Sequence, residues 1–243
     1  MRLLRINIEY DGSDFSGWQI QKNTRTIQGE ITKAFSVLFG IPATPPVASG
    51  RTDAGTHALY QVAHIHVSSN LHVDRIKRGL NGLLPRDISV LSVEEAPANF
   101  HARYNAKQKR YRYRIRKGKV AVFRNYVWSI AQTLDIKAMN EASILILGKH
   151  NFVGFCKQDP IPNNSECNIL DANWEYQANE WVFEIEGNRF LRHMVRIIVG
   201  TMVQVGLGNS SPQSISDILL SGKREDAGPT VPAQGLHLVW VKY

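Results

Sequence analysis

Apolar positions along the 243-residue chain recur with two spacings, and their alternation outlines the elements. Residues 3–10 alternate Leu, Ile and Tyr with polar positions and predict a strand. Residues 11–25 are polar and turn-rich, with Asp11-Gly12 and Ser16-Gly17 as breakers. Ile27, Ile31, Ala34, Phe35 and Leu38 then fall at helical spacing, and Gly40 with Pro42 ends that helix. Gln61 to Val67 alternates as a strand. Asp74 reads as the N-cap of a helix carrying Ile76, Leu80 and Leu83, and 87–94 is a further strand. From Tyr104 the theme repeats with longer strands, expected at 108–116, 121–128, 169–177 and 181–187. Helices are expected at 135–147, 189–204 and 212–221, the last with Ser211 as N-cap and Pro212 at its first position. A strand at 236–242 closes the chain. Split β-α-β units in both halves predict an α+β fold of two ferredoxin-like lobes, residues 1–103 and 104–243. Their sheets are expected to be mainly antiparallel, with helices on one face. The stretch 156–168, with Pro160, Pro162 and Asn163-Asn164, reads as a loop without an assigned role.

Composition narrows the function classes. A hydrophobic fraction of 43% suffices for a core, and no apolar run is long enough to span a membrane. The first residues carry charge too early and too often for a signal peptide. Two cysteines, Cys156 and Cys167, make neither a zinc set nor a disulfide framework, so a reducing cytoplasm is the expected setting. Lys and Arg number 29 against 21 acids, and the net charge of +8 favours a polyanionic partner.

The position of that charge is informative. Residues 107–119 place Arg110, Arg112, Arg114 and Arg116 on one strand face, with Tyr111, Tyr113 and Ile115 on the other. Guanidiniums suit phosphates and tyrosine stacks on an exposed base. The alternative is a half-buried strand with a solvated face. Four arginines in a row would repel one another without an anionic partner, which favours nucleic acid. On a helix over 189–204, Arg189, Arg192, His193 and Arg196 would form one cationic stripe. A basic cleft between the lobes is expected, with Lys22, Arg25, Arg110, Arg112 and Arg192 as RNA-binding candidates.

Gly50-Arg51-Thr52-Asp53-Ala54-Gly55-Thr56-His57-Ala58 carries the candidate chemistry. A carboxylate framed by two glycines beside a permanent cation is favoured as an anion and can serve as nucleophile or base. The same pattern also suits an Asp that only closes a turn. His57, His64 and His66 lack a carboxylate or cysteine at ligand spacing, so packed or surface histidines are expected and no metal site. No glycine-rich loop with a following Lys-Ser or Lys-Thr indicates a nucleotide cofactor.

Five blocks in order resemble the tRNA pseudouridine synthase A family, nearly end to end. They are Tyr10-Asp11-Gly12 with Phe15, Gly17, Trp18 and Gln19; Gly50 to Ala58; and Phe100-His101-Ala102-Arg103 with Lys109 to Tyr113. Phe190-Leu191 with His193 to Arg196 and Gly200 follows, and then Ala227 to Thr230 with Pro232, Ala233, Gly235 and Leu236. The resemblance implies isomerisation of uridine to pseudouridine in the anticodon stem-loop of tRNA, at family sites 38, 39 and 40. It implies Asp53 as catalytic residue, with Tyr111 against the target base. Arg196 would pair with Asp53, and Arg51 would displace and hold the target nucleotide. It further implies no metal or organic cofactor, and a homodimer with one tRNA touching both subunits. Cys167-Asn168 departs from the family, which often has an arginine there. A non-catalytic tRNA binder or RNA chaperone on the same scaffold explains the charge but not the framed Asp53. A sugar-linkage hydrolase usually needs a second positioned carboxylate, and none stands out.

Overall fold

The computed structural model describes residues 1–243. In chain order the elements are β1 Arg2–Tyr10, α1 Ile27–Phe39, β2 Val47–Ala48, β3 His57–Val67, α2 Val73–Leu83 and β4 Ile88–Glu95. They continue with β5 Gln108–Lys117, β6 Trp128–Ile130, α3 Ile136–Ile144, β7 Gly148–Asn151, β8 Glu166–Gln177 and β9 Glu180–Gly187. Helices α4 Met194–Gly206 and α5 Ser214–Ser221 follow, and β10 Leu236–Lys242 closes the chain. The mixture is α+β with mostly antiparallel pairing, as the alternating periods predict.

Two compact units form, one of Met1–Lys107 with His237–Tyr243, the other of Gln108–Leu236. The sequence pattern predicts a boundary after residue 103 with the closing strand in the second lobe. In the structure β10, apart from its first residue, belongs with the first unit. Its His237 and Leu238 pair in parallel with His57 and Ala58 of β3. Parallel partners need not be neighbours in sequence, so the pattern along the chain could not place this strand.

In the first unit β1 lies between β4 and β3, antiparallel to both, and β2 adds antiparallel to β3. The order β4-β1-β3-β2 is the ferredoxin-like arrangement of a split β-α-β pair. Leu4, Ile6 and Ile8 of β1 are fully buried, so the core side of this sheet is set by aliphatic positions read from the sequence. Thr26 caps α1 by accepting the Gly29 N–H, and Gly40 ends it in the left-handed conformation.

In the second unit β5 pairs with β9, β9 with β8 and β8 with β7, all antiparallel. Trp174 stacks on Phe183 at 4.8 Å, and its indole N–H donates to the Met202 sulfur of α4. Helix α4 is buried on nearly all sides, as its continuous apolar composition requires.

Four expected elements change. The helix expected from residue 189 begins at Met194, because His193 adopts φ 63°, which a helix cannot accommodate. Arg189, Arg192 and His193 therefore precede the helix, and only Arg196 lies on it. The strand expected at 121–128 is a turn followed by three strand residues, with a Tyr126 N–H to Phe123 carbonyl bond closing the turn. Its apolar Val122 and Phe123 face no core and are 80% and 45% exposed. Helix α2 is capped by His72, with Asp74 in its first turn. Helix α5 starts after a turn in which the Ser214 N–H reaches the Ser211 carbonyl, so Gln213 takes the cap position.

Candidate active site

The Asp53 loop connects Gly50 to the start of β3 and is fixed from below by buried polar groups. The Ser49 hydroxyl donates to Gln61 Oε1 at 2.7 Å, and Gln61 Nε2 donates to the Gly50 carbonyl at 3.0 Å. The Tyr10 hydroxyl lies 2.8 Å from Thr52 Oγ1. Burial pushes the Tyr10 phenol up to about 12, against the opposing effect of its bonds to Thr52 and Gln61. It therefore stays a neutral hydrogen-bonding group at any ordinary pH.

The first motif block clamps the loop from the side. The Trp18 N–H donates to the Thr52 carbonyl at 3.1 Å, and the Gly55 N–H to the Phe15 carbonyl at 3.3 Å. Gly17 sits at φ 88°, and a side chain there would meet the Thr52 carbonyl oxygen at 2.7 Å. The Thr56 N–H bonds back to the Asp53 carbonyl at 3.1 Å, closing a tight turn in which Gly55 takes φ 76°. Of the two framing glycines only Gly55 is left-handed. The Gly12 N–H donates to His57 Nδ1 at 3.0 Å, and His57 stacks on His237 at 4.8 Å. These contacts explain why Tyr10-Asp11-Gly12 and Trp18 accompany the Asp53 block: they are its mould. Asp53 is half-buried and Arg51 exposed on this loop.

Arg25 is held by Asp87 through two bonds of 2.7 and 2.9 Å and lies 4.1 Å from the Phe15 ring centroid. It buttresses the segment that clamps the loop. Lys22 is exposed. His64 is buried, with Nδ1 accepting the Ala102 N–H at 3.0 Å. No group of three or more His, Cys, Asp or Glu side chains stands close enough to share a metal ion.

In the second unit Tyr111 is buried on β5, with its ring edge-to-face on Phe190 at 5.1 Å. Arg196, in the first turn of α4, donates from Nε to the Val231 carbonyl at 2.7 Å. The neighbouring Pro232 carbonyl accepts the Tyr113 hydroxyl at 2.7 Å. Burial raises the Tyr113 phenol far above its ordinary value, and the nearby Arg196 charge offsets only part of this. The closing motif block is thus fixed to β5 and α4. Arg192 is exposed.

The arginine row of β5 is not a bare cationic face. Arg110 bonds Glu184 at 2.9 Å and Glu186 at 2.8 Å, with Asp171 at 3.3 Å. Arg112 reaches Glu184 at 2.6 Å, and Arg114 reaches Glu180 at 2.8 Å. The carboxylates of β9 and β8 offset the repulsion that favoured an RNA partner for Arg110 and Arg112. Their clustering therefore needs no RNA phosphate to be stable. The hydrogen bonds by which Gln61 and Tyr10 hold the Asp53 loop are not legible in the sequence. The available signal was a polar Gln61 next to the apolar Val62-Ala63 pair, at a buried position of β3.

Residues 6–105 and 142–243 match the family model described as tRNA pseudouridine synthase. The chain belongs to the tRNA pseudouridine synthase family. Among its members the chain shares 42% identity with tRNA pseudouridine synthase A of Halalkalibacterium halodurans, over 97% of this chain and 90% of that one. Identity with the protein of that name from Anoxybacillus flavithermus is 40%, over 100% of this chain and 99% of the other. The counterpart from Thermus thermophilus is 42% identical over 100% of this chain and 97% of its own length. No helix of the protein is long and apolar enough to cross a membrane.

Proposed function

We propose that this protein isomerises uridine to pseudouridine in the anticodon stem-loop of tRNA, at family sites 38, 39 and 40, with Asp53 as its catalytic residue. Similarity along the whole chain to relatives named tRNA pseudouridine synthase A carries the reading. The reaction breaks N1–C1′ and joins C5 to C1′. The proton at C5 leaves to solvent and N1 gains one, so atoms and electrons balance without an oxidant or a second substrate.

The pinned loop supports the role of Asp53. A carboxylate on a backbone held by at least four hydrogen bonds loses little entropy on engaging the nucleotide. Arg51, exposed on the same loop, is assigned to hold the displaced nucleotide. Extracting a base from a stem costs a few kcal/mol of stacking and pairing, and we assign Tyr111 to face the extracted base. Arg196 is assigned to keep Asp53 ionised, which predicts that Arg196→Met lowers turnover more than tRNA affinity. Lys22 and Arg192, both exposed, are the RNA-backbone candidates that remain after Arg25, Arg110 and Arg112 are found engaged with carboxylates. A homodimer in the cytoplasm, with one tRNA touching both subunits and without metal or organic cofactor, completes the proposal.

The test is tritium release from tRNA carrying tritium at C5 of uridine, with wild type and Asp53→Asn in parallel. Release by wild type alone is expected. Tight tRNA binding without release by either protein would sink the enzymatic reading and favour a non-catalytic binder.

A further inference from the structure

The fourth arginine of the β5 row behaves unlike the other three. Arg116 stands opposite Glu180 in the β5–β9 register, yet the Glu180 carboxylate is engaged by Arg114 through bonds of 2.8 and 3.0 Å. Arg116 has no ion pair of its own. It lines an open cleft of about 620 Å³ with Lys117, Lys119, Val122, Phe123, Tyr176 and Asn179. None of the residues lining this cleft is a carboxylate. Lys117 donates only to the neutral Thr133 hydroxyl. Phe123 and Tyr176 are 45% and 54% exposed. The Tyr176 ring is steadied by Trp181 at 5.2 Å between centroids.

Three cations without acids and two exposed rings in one concavity match the composition of a single-strand nucleic-acid groove, in which cations meet phosphates and rings meet bases. A solvated charged face would intersperse both signs, as happens further along β5, where carboxylates of β8 and β9 stand against Arg110, Arg112 and Arg114. We infer that this cleft is an RNA-contact surface holding an unpaired stretch of tRNA, with phosphates at Arg116, Lys117 and Lys119 and a base against Phe123 or Tyr176. Tyr111, Arg192 and Arg196 do not line it, so its contribution is to hold the substrate and not to convert it. The inference rests on the proposed reading that the substrate is RNA.

The experiment measures unmodified tRNA affinity against salt for wild type, for R116Q/K117Q/K119Q, and for F123A/Y176A. Melting temperatures and sedimentation are recorded alongside. The triple variant should bind roughly ten-fold more weakly, with a log Kd against log salt slope lower by about 2 to 3. F123A/Y176A should weaken binding by a similar factor and leave the slope unchanged, because stacking releases no counterions. Lys119→Glu alone, an exposed change with no packing consequence, should reproduce the direction. Unchanged affinity and slope in folded variants would overturn the inference. So would a change of oligomeric state with unchanged affinity per subunit, which would make the cleft a contact between copies. Binding is read without turnover, so a wild type that binds tRNA but releases no tritium would sink the enzymatic reading and leave this one standing.

Discussion

Arg110→Met separates a structural arginine from an RNA-binding one. The guanidinium joins Glu184, Glu186 and Asp171, and the Glu186 side chain is only 10% exposed. Removing the cation leaves Glu186 in a poor solvent beside Glu184, two carboxylates sharing one face of β9. Breaking a buried ion pair costs about 3–5 kcal/mol. Two features reduce this: Arg110 is itself 27% exposed, and Glu184 keeps Arg112. The expected loss is therefore about 2 kcal/mol, or roughly 4–8 °C in melting temperature for a chain of this size. Adding Glu186→Gln should return more than half of it, because the stranded charge is gone. The assay is thermal melting of the four proteins of this cycle, with tRNA affinity measured against salt. Tight coupling in stability with an unchanged salt slope is expected. An unchanged melting temperature with a slope lowered by about 0.7–0.9 would refute the reasoning and place Arg110 on a phosphate.

Three further outcomes follow from the first unit. Burial, with smaller contributions from His101 and His66, pushes His64 from 6.5 down to about 4. The folded value lies below the unfolded one, so stability is complete above about pH 6.5 and falls towards pH 4, by up to about 3 kcal/mol. Urea midpoints at pH 7 and pH 5 should differ less in His64→Asn than in wild type. Gly17→Ala forces a side chain into φ 88° and against the Thr52 carbonyl, so it should cost more than about 1 kcal/mol and displace the Asp53 loop. Tritium release falling more steeply than tRNA affinity is the expected signature, and normal turnover would show the clamp to be dispensable. The Thr56 hydroxyl is buried without a hydrogen-bond partner, so Thr56→Val should raise the melting temperature by a few degrees, about 1 kcal/mol. A lower value would mean that the hydroxyl is satisfied in solution.

The local periods carried much of the fold in the sequence. Alternation over 3–10 and 61–67, and helical spacing from Ile27, each reflect a single face that must be buried, and a neighbour's identity does not alter that requirement. The turn after Asp53 was legible for a similar reason, since Gly55 declares its left-handed backbone locally. Tertiary structure decided three things that local pattern leaves open. It placed β10 beside β3, because strand partners are chosen by shape and not by separation along the chain. It ended the cationic stripe at His193, where one left-handed residue outweighed a run of good helix formers. It sorted the arginines of β5 into three neutralised by β8 and β9 and one that is not. A side chain's charge is written in the sequence, but whether that charge meets a carboxylate or solvent depends on which strand folds beside it.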